Sequence, residues 1–154
     1  MFESKDILTD QLAANTNEKS WYVPFSESVK NLTEEEAVWK LNEECNSIAE
    51  IVQHLLYWNK TWQTRYKESS VHAVPALENN DRTFFVEENQ SFGELHKQLL
   101  ETIMYWQEIL SEKQLQSSVE GFSDTKWWEV IASVSTHNAY HIGQILYIKK
   151  MQRI

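Results

Sequence analysis

Apolar residues recur at helical spacing in several long stretches of the chain, separated by polar segments in which no period holds. After Asn46-Ser47, the residues Ile48, Ile51, Val52, Leu55, Trp58 and Trp62 repeat at steps of three and four, and the pattern fades near Lys67-Glu68. Phe92, Leu95, Leu99, Ile103, Trp106 and Leu110 form a second stripe. Val130, Val134, His137, His141, Ile145 and Ile148 form the stripe of a last helix expected from about Lys126 to Met151. A shorter first segment, residues 3 to 19, places Ile7, Leu8 and Leu12 near helical spacing.

The punctuation agrees. Thr33 with Glu36, Ser47 with Glu50 and Ser91 with Glu94 each follow the capping-box spacing, in which hydroxyl and carboxylate satisfy each other's free backbone N–H groups. The run Glu34 to Glu36 is a helix-start acid cluster, favoured by the positive end of the helix dipole. Pro24 breaks the chain before a short helical piece, and Ser123 or Asp124 is placed to cap the last helix. Residues 69 to 90 have no sustained period and are long for a tight hairpin, so they suit a crossover joining two parallel helices. Their path is open, and a cover over a pocket is one of its forms. The expectation is an all-α four-helix bundle forming a single domain over residues 1–154.

Composition sharpens this picture. Three Gly and two Pro leave little material for tight turns, which argues for long helices over a β-rich fold. The formal net charge of −9, with no basic run, repels phosphate backbones and anionic bilayers, so neither nucleic acid nor a membrane is expected as partner. No apolar run approaches the ~18 residues of a membrane span. The single Cys45 makes no intrachain disulfide, and the acidic N-terminus has no basic region followed by an apolar core. Both features point to the cytoplasm. Cys45 itself reads as a bystander.

The chemistry sits in HNAYHIGQI, residues 137 to 145. His137 and His141, four apart, share one helix face and interrupt an otherwise apolar stripe. Buried imidazoles need partners. A shared metal ion is one solution, and hydrogen bonds across a bundle are the other. His54, on the second long helix among apolar neighbours, reads alone as a core histidine, but packing of the two helices would bring a third imidazole to the pair. Three ligands with a vacant position make an open metal site. His72 and His96 read as incidental. Gln144, three residues from His141, Trp58 and Glu50 are candidate contacts to the site; Asn59, five residues beyond His54, points to a different side and is a weaker one. Glu50 reads first as the capping partner of Ser47. Trp62, Trp106, Trp127 and Trp128 read with Trp58 as core or interface aromatics before pocket lining, and the adjacent Trp127 and Trp128 cannot face the same way.

SIAEIVQHLLYWNKTW (47 to 62) and STHNAYHIGQILYIKKM (135 to 151) together resemble the DinB/YfiT-like superfamily, as does the approach LTEEEAVWKLNEECNSIAE (32 to 50). The last helix carries the most specific match, in His137, Tyr140, His141, Gly143, Gln144 and Ile145. The resemblance implies an up-down-down-up four-helix bundle, commonly a homodimer, with a divalent transition metal, zinc or nickel, on His54, His137 and His141. It also implies a thiol-dependent S-transferase or isomerase in which the metal activates a low-molecular-weight thiol cosubstrate toward a small-molecule substrate. A hydrolase using metal-bound hydroxide, and a non-catalytic dimeric bundle, remain the alternatives.

Overall fold

The computed structural model describes residues 1, 3–122 and 124–153. Among these residues the chain is all-helical, with no strand. Four long helices, α1 (Ser4–Thr16), α4 (Ile48–Lys67), α5 (Phe92–Ile109) and α7 (Trp127–Met151), build the bundle. Three short ones, α2 (Phe25–Ser28), α3 (Glu34–Val38) and α6 (Glu112–Leu115), fill the connections. Helices α1 and α4 each pack against both α5 and α7.

The caps form where the spacing placed them. Ser47 Oγ accepts from Glu50 N at 3.2 Å while the Glu50 carboxylate accepts from Ser47 N at 2.7 Å. Thr33 and Glu36 make the same exchange at 3.1 and 2.9 Å. At α5, Ser91 Oγ accepts from Glu94 N, but the remaining N–H groups are met from outside the helix. Glu34 reaches across from α3 and accepts from Phe92 N at 2.8 Å and Gly93 N at 3.3 Å. The last helix runs Trp127–Met151, close to the expected bounds, but its cap differs: the Glu129 carboxylate accepts from the N-cap Lys126 N at 2.7 Å. Asp124 instead occupies a left-handed turn at φ 63°, and Ser123 lies outside the described residues.

The α5 stripe is fully internal, from Phe92 to Leu110. In α1, Leu8 and Leu12 are buried, whereas Ile7 stands 54% exposed, about 100° round the helix from Leu8. In α7 the buried line runs through Trp127, Ile131, Val134, Asn138, His141 and Ile145; Val130, His137 and Ile148 sit half-buried beside it. Trp127 is buried and Trp128 is exposed.

Two polar ties cross this core. Asn59 Nδ2 donates to Asn138 Oδ1 at 2.7 Å and to Leu55 O at 2.9 Å, and Asn59 Oδ1 accepts from Trp106 Nε1 at 2.9 Å. Asn59 and Asn138 are both fully buried, so this node pins α4, α5 and α7 at one level. Asn15 Nδ2 donates to Ser135 O and Oγ, both at 2.9 Å, tying α1 to α7. Gln63 meets Thr102 and Tyr66 meets Ser111, which ties α4 to α5 and to the turn after it beyond the long crossover that joins them. That crossover contains two 3-10 turns, Val71–Ala73 and Asn80–Phe84, both packed on α4.

Asn59→Ala is expected to lower the free energy of unfolding by about 2–4 kcal/mol, because it strands the buried Trp106 N–H and the Asn138 amide. Urea denaturation checks it, and a loss below about 1 kcal/mol would contradict the role given to this node.

Candidate metal centre

Helix α4 presents His54 toward α7, which presents His137 and His141 one turn apart. The Nε2 atoms of His54 and His141 each lie 3.1 Å from Nε2 of His137. The candidate ligand atoms of the three rings all fall within 4.8 Å of one another. His54 and His141 are buried and His137 is half-buried. Ligand nitrogens about 2.0–2.1 Å from a tetrahedral ion stand about 3.3 Å apart, so the rings are close to the spacing such an ion requires.

The outer nitrogens decide what the inner ones can do. Thr83 Oγ1 donates its proton to Asn80 O at 2.7 Å and therefore meets His54 Nδ1, 2.5 Å away, as an acceptor. His54 thus carries its proton on Nδ1. Gln144 Oε1, an acceptor only, lies 2.6 Å from His141 Nδ1 and places that proton on the outer nitrogen too. Both Nε2 atoms are then bare lone pairs turned toward His137. One N–H on His137 can satisfy one of them and not both. A shared cation satisfies all three, so the donor set fits a divalent metal held by neutral imidazoles.

The sequence profile of the DinB superfamily matches residues 23–145, a span that takes in His54, His137 and His141. The chain belongs to the DinB superfamily. No curated protein and no solved structure gives a significant match.

In this DinB-superfamily protein the crossover shapes the centre. Phe84 stacks on the His54 ring, with centroids 4.0 Å apart and planes 7° from parallel, and Asn80 Oδ1 accepts from Trp58 Nε1 at 3.2 Å. The imidazoles form one wall of a cavity of about 700 Å³ whose other walls include Trp58, Trp62, Phe84, Phe122, Val130 and Val134. No Cys, Asp or Glu lines it among the described residues.

Of the remaining sequence candidates, Gln144 touches His141 as described. Glu50 sits in its capping box and pairs with Lys40 at 2.6 Å, away from the cavity wall. Trp58 and Trp62 line the cavity, while Trp106 and Trp127 are core. Cys45, His72 and His96 are not in the wall. Asn59 has no contact with the imidazoles and serves the buried node instead. Thr83, Asn80 and Phe84 carry no periodic signal. Their only mark in the sequence is an apolar Phe84-Phe85 pair after an Asn-rich turn in an otherwise polar segment.

The clustering makes the rings hard to protonate. Burial first, then repulsion from His141 and His137, lowers the His54 pKa from 6.5 to about 3. Burial and then His141 lower His137 to about 4. Burial also lowers His141, against the bond to Gln144 that raises it. Because the folded values lie below 6.5, the unfolded chain takes up protons first. Stability is therefore lost as pH falls from about 6.5 toward 3–4 and is fully recovered above it.

For the metal-free protein, the urea midpoint is expected to fall between pH 7 and pH 5, and a His54→Gln, His137→Gln double variant should lose most of that dependence. Equal slopes in both proteins would contradict the assigned shifts.

Proposed function

We propose that this protein holds one divalent transition metal, zinc or nickel, on His54, His137 and His141 and binds a low-molecular-weight thiol beside it, as a thiol-dependent S-transferase or isomerase. The observation that carries the proposal is the convergence of three ring nitrogens, two of them fixed as lone pairs, on the wall of an aromatic cavity.

The chain's own residues divide the work. Thr83 and Gln144 keep His54 and His141 in the ligating tautomer. Phe84 holds the His54 ring in plane against α4. Trp58, Trp62, Val130 and Val134 give the ligand side an apolar wall. A bound divalent ion supplies a lowered thiol pKa, and with it a thiolate nucleophile near neutral pH.

Two features favour this function over its alternatives. A structural site is closed by a fourth protein ligand, and none lines the cavity among the described residues. A hydrolase would be helped by a carboxylate base beside its water, and that is missing from the same wall. A thiol whose pKa has been lowered releases its proton to solvent and needs no such base.

Cobalt-loaded wild type given 2-mercaptoethanol should develop a thiolate-to-metal charge-transfer band in the near ultraviolet, and His137→Ala should neither hold the ion nor show the band. Cobalt bound without any band would refute the thiol and leave the metal standing. Thr83→Val is expected to weaken zinc about 10–100-fold against a competing chelator with helicity unchanged; unaltered affinity would remove Thr83 from the site.

A further inference from the structure

We infer that a second cavity, lined by Gln144 and separate from that of the imidazoles, binds a flat ring compound carrying a carbonyl oxygen. Binding there does not depend on the metal.

This cavity, of about 530 Å³, lies between α7 and the connection from α3 to α4. Trp39, Leu41 and Cys45 line it from the connection, and Tyr140, Gly143 and Gln144 from α7. Tyr140 alone is shared with the imidazole cavity.

Two features of α7 here serve nothing inside the chain. Gly143 sits within a 25-residue helix, where glycine is the poorest former after proline. A Cβ built on it would meet no neighbouring atom within 4 Å, so the packing of the chain does not call for a glycine. It lays bare a strip of helix backbone between Tyr140 and Tyr147, which stand three residues before it and four after. The second feature is the Gln144 amide. Its Oε1 is committed to His141 Nδ1 at 2.6 Å, so its NH2 group turns the other way, with no hydrogen-bond partner among the described residues.

Together these features define an occupant. A flat ring lying on the bare strip gains the faces of the flanking tyrosines and of Trp39, which a side chain at Gly143 would prevent. The free NH2 group of Gln144 then calls for an acceptor, and a carbonyl oxygen supplies one. The volume is ample for two fused rings with a substituent.

The test compares 2-acetylnaphthalene with 2-ethylnaphthalene, which differ by one carbonyl oxygen, on chelator-treated protein so that the ketone cannot bind through an ion. Cys45 is the single cysteine and lines the cavity, so its alkylation by iodoacetamide reports occupancy at this place. The ketone is expected to slow alkylation saturably and, by equilibrium dialysis, to bind about three-fold or more tighter than the hydrocarbon. Gln144→Glu, which keeps an acceptor for His141 and removes the donor, should erase that preference. Gly143→Ala should raise the melting temperature by about 2–4 °C, and Gly143→Leu should weaken the ketone about ten-fold or more. No saturable protection of Cys45, equal affinity for the two probes, undiminished binding by Gly143→Leu, or a lower melting temperature for Gly143→Ala would overturn the inference. So would sedimentation showing a wild-type dimer that Gly143→Leu splits, because a second copy would then cover the strip. A protein that holds no stoichiometric zinc but still binds the ketone at Cys45 would remove the metal proposal alone.

Discussion

A neutral imidazole has two nitrogens and one proton, and here His54 and His141 each spend that proton on the outer nitrogen. Thr83 takes one and Gln144 the other. What remains inside is a pair of lone pairs facing a third ring, an arrangement that hydrogen bonding among three neutral rings cannot fully satisfy. The low pKa values express the same fact from the side of the proton: packed together and buried, these rings resist the charge that would otherwise relieve them. The site is thus poorly suited to protons and well suited to a divalent ion.

The bundle exists in the form this centre requires. His54 and the pair on α7 can converge only if α4 and α7 keep one register, and the Asn59–Asn138 bond fixes that register a little over one turn from His54. Trp106 adds α5 to the same node. The crossover then closes the outer side, carrying Thr83 and Phe84 onto His54 and Asn80 onto Trp58. A segment that looks like a linker therefore builds part of the site.

The helices were legible because their signals are local. Ser47 with Glu50, Thr33 with Glu36 and the stripe from Phe92 to Leu110 each depend on neighbours within a turn or two, and the structure repeats them. The buried line of α7 departs from its apolar stripe because Ser135 and Asn138 lie on it, and buried polar residues look external in a hydrophobic pattern. Their partners Asn15 and Asn59 are far away in sequence, so nothing local marks them. The same holds for Thr83, whose place beside His54 depends on how the crossover folds back. Gln144 was accessible because i to i+3 contacts on a helix follow from spacing. Lys126 carries no cap signal because its side chain offers no acceptor; Glu129 does the capping.

X-ray absorption at the zinc edge of the reconstituted protein tests the central claim most directly. The account predicts three imidazole nitrogens at about 2.0–2.1 Å, no protein sulfur, and a remaining light-atom position that gives way to sulfur when a thiol is added. Fewer than three imidazoles, or a sulfur scatterer from Cys45 before any thiol is present, would contradict it.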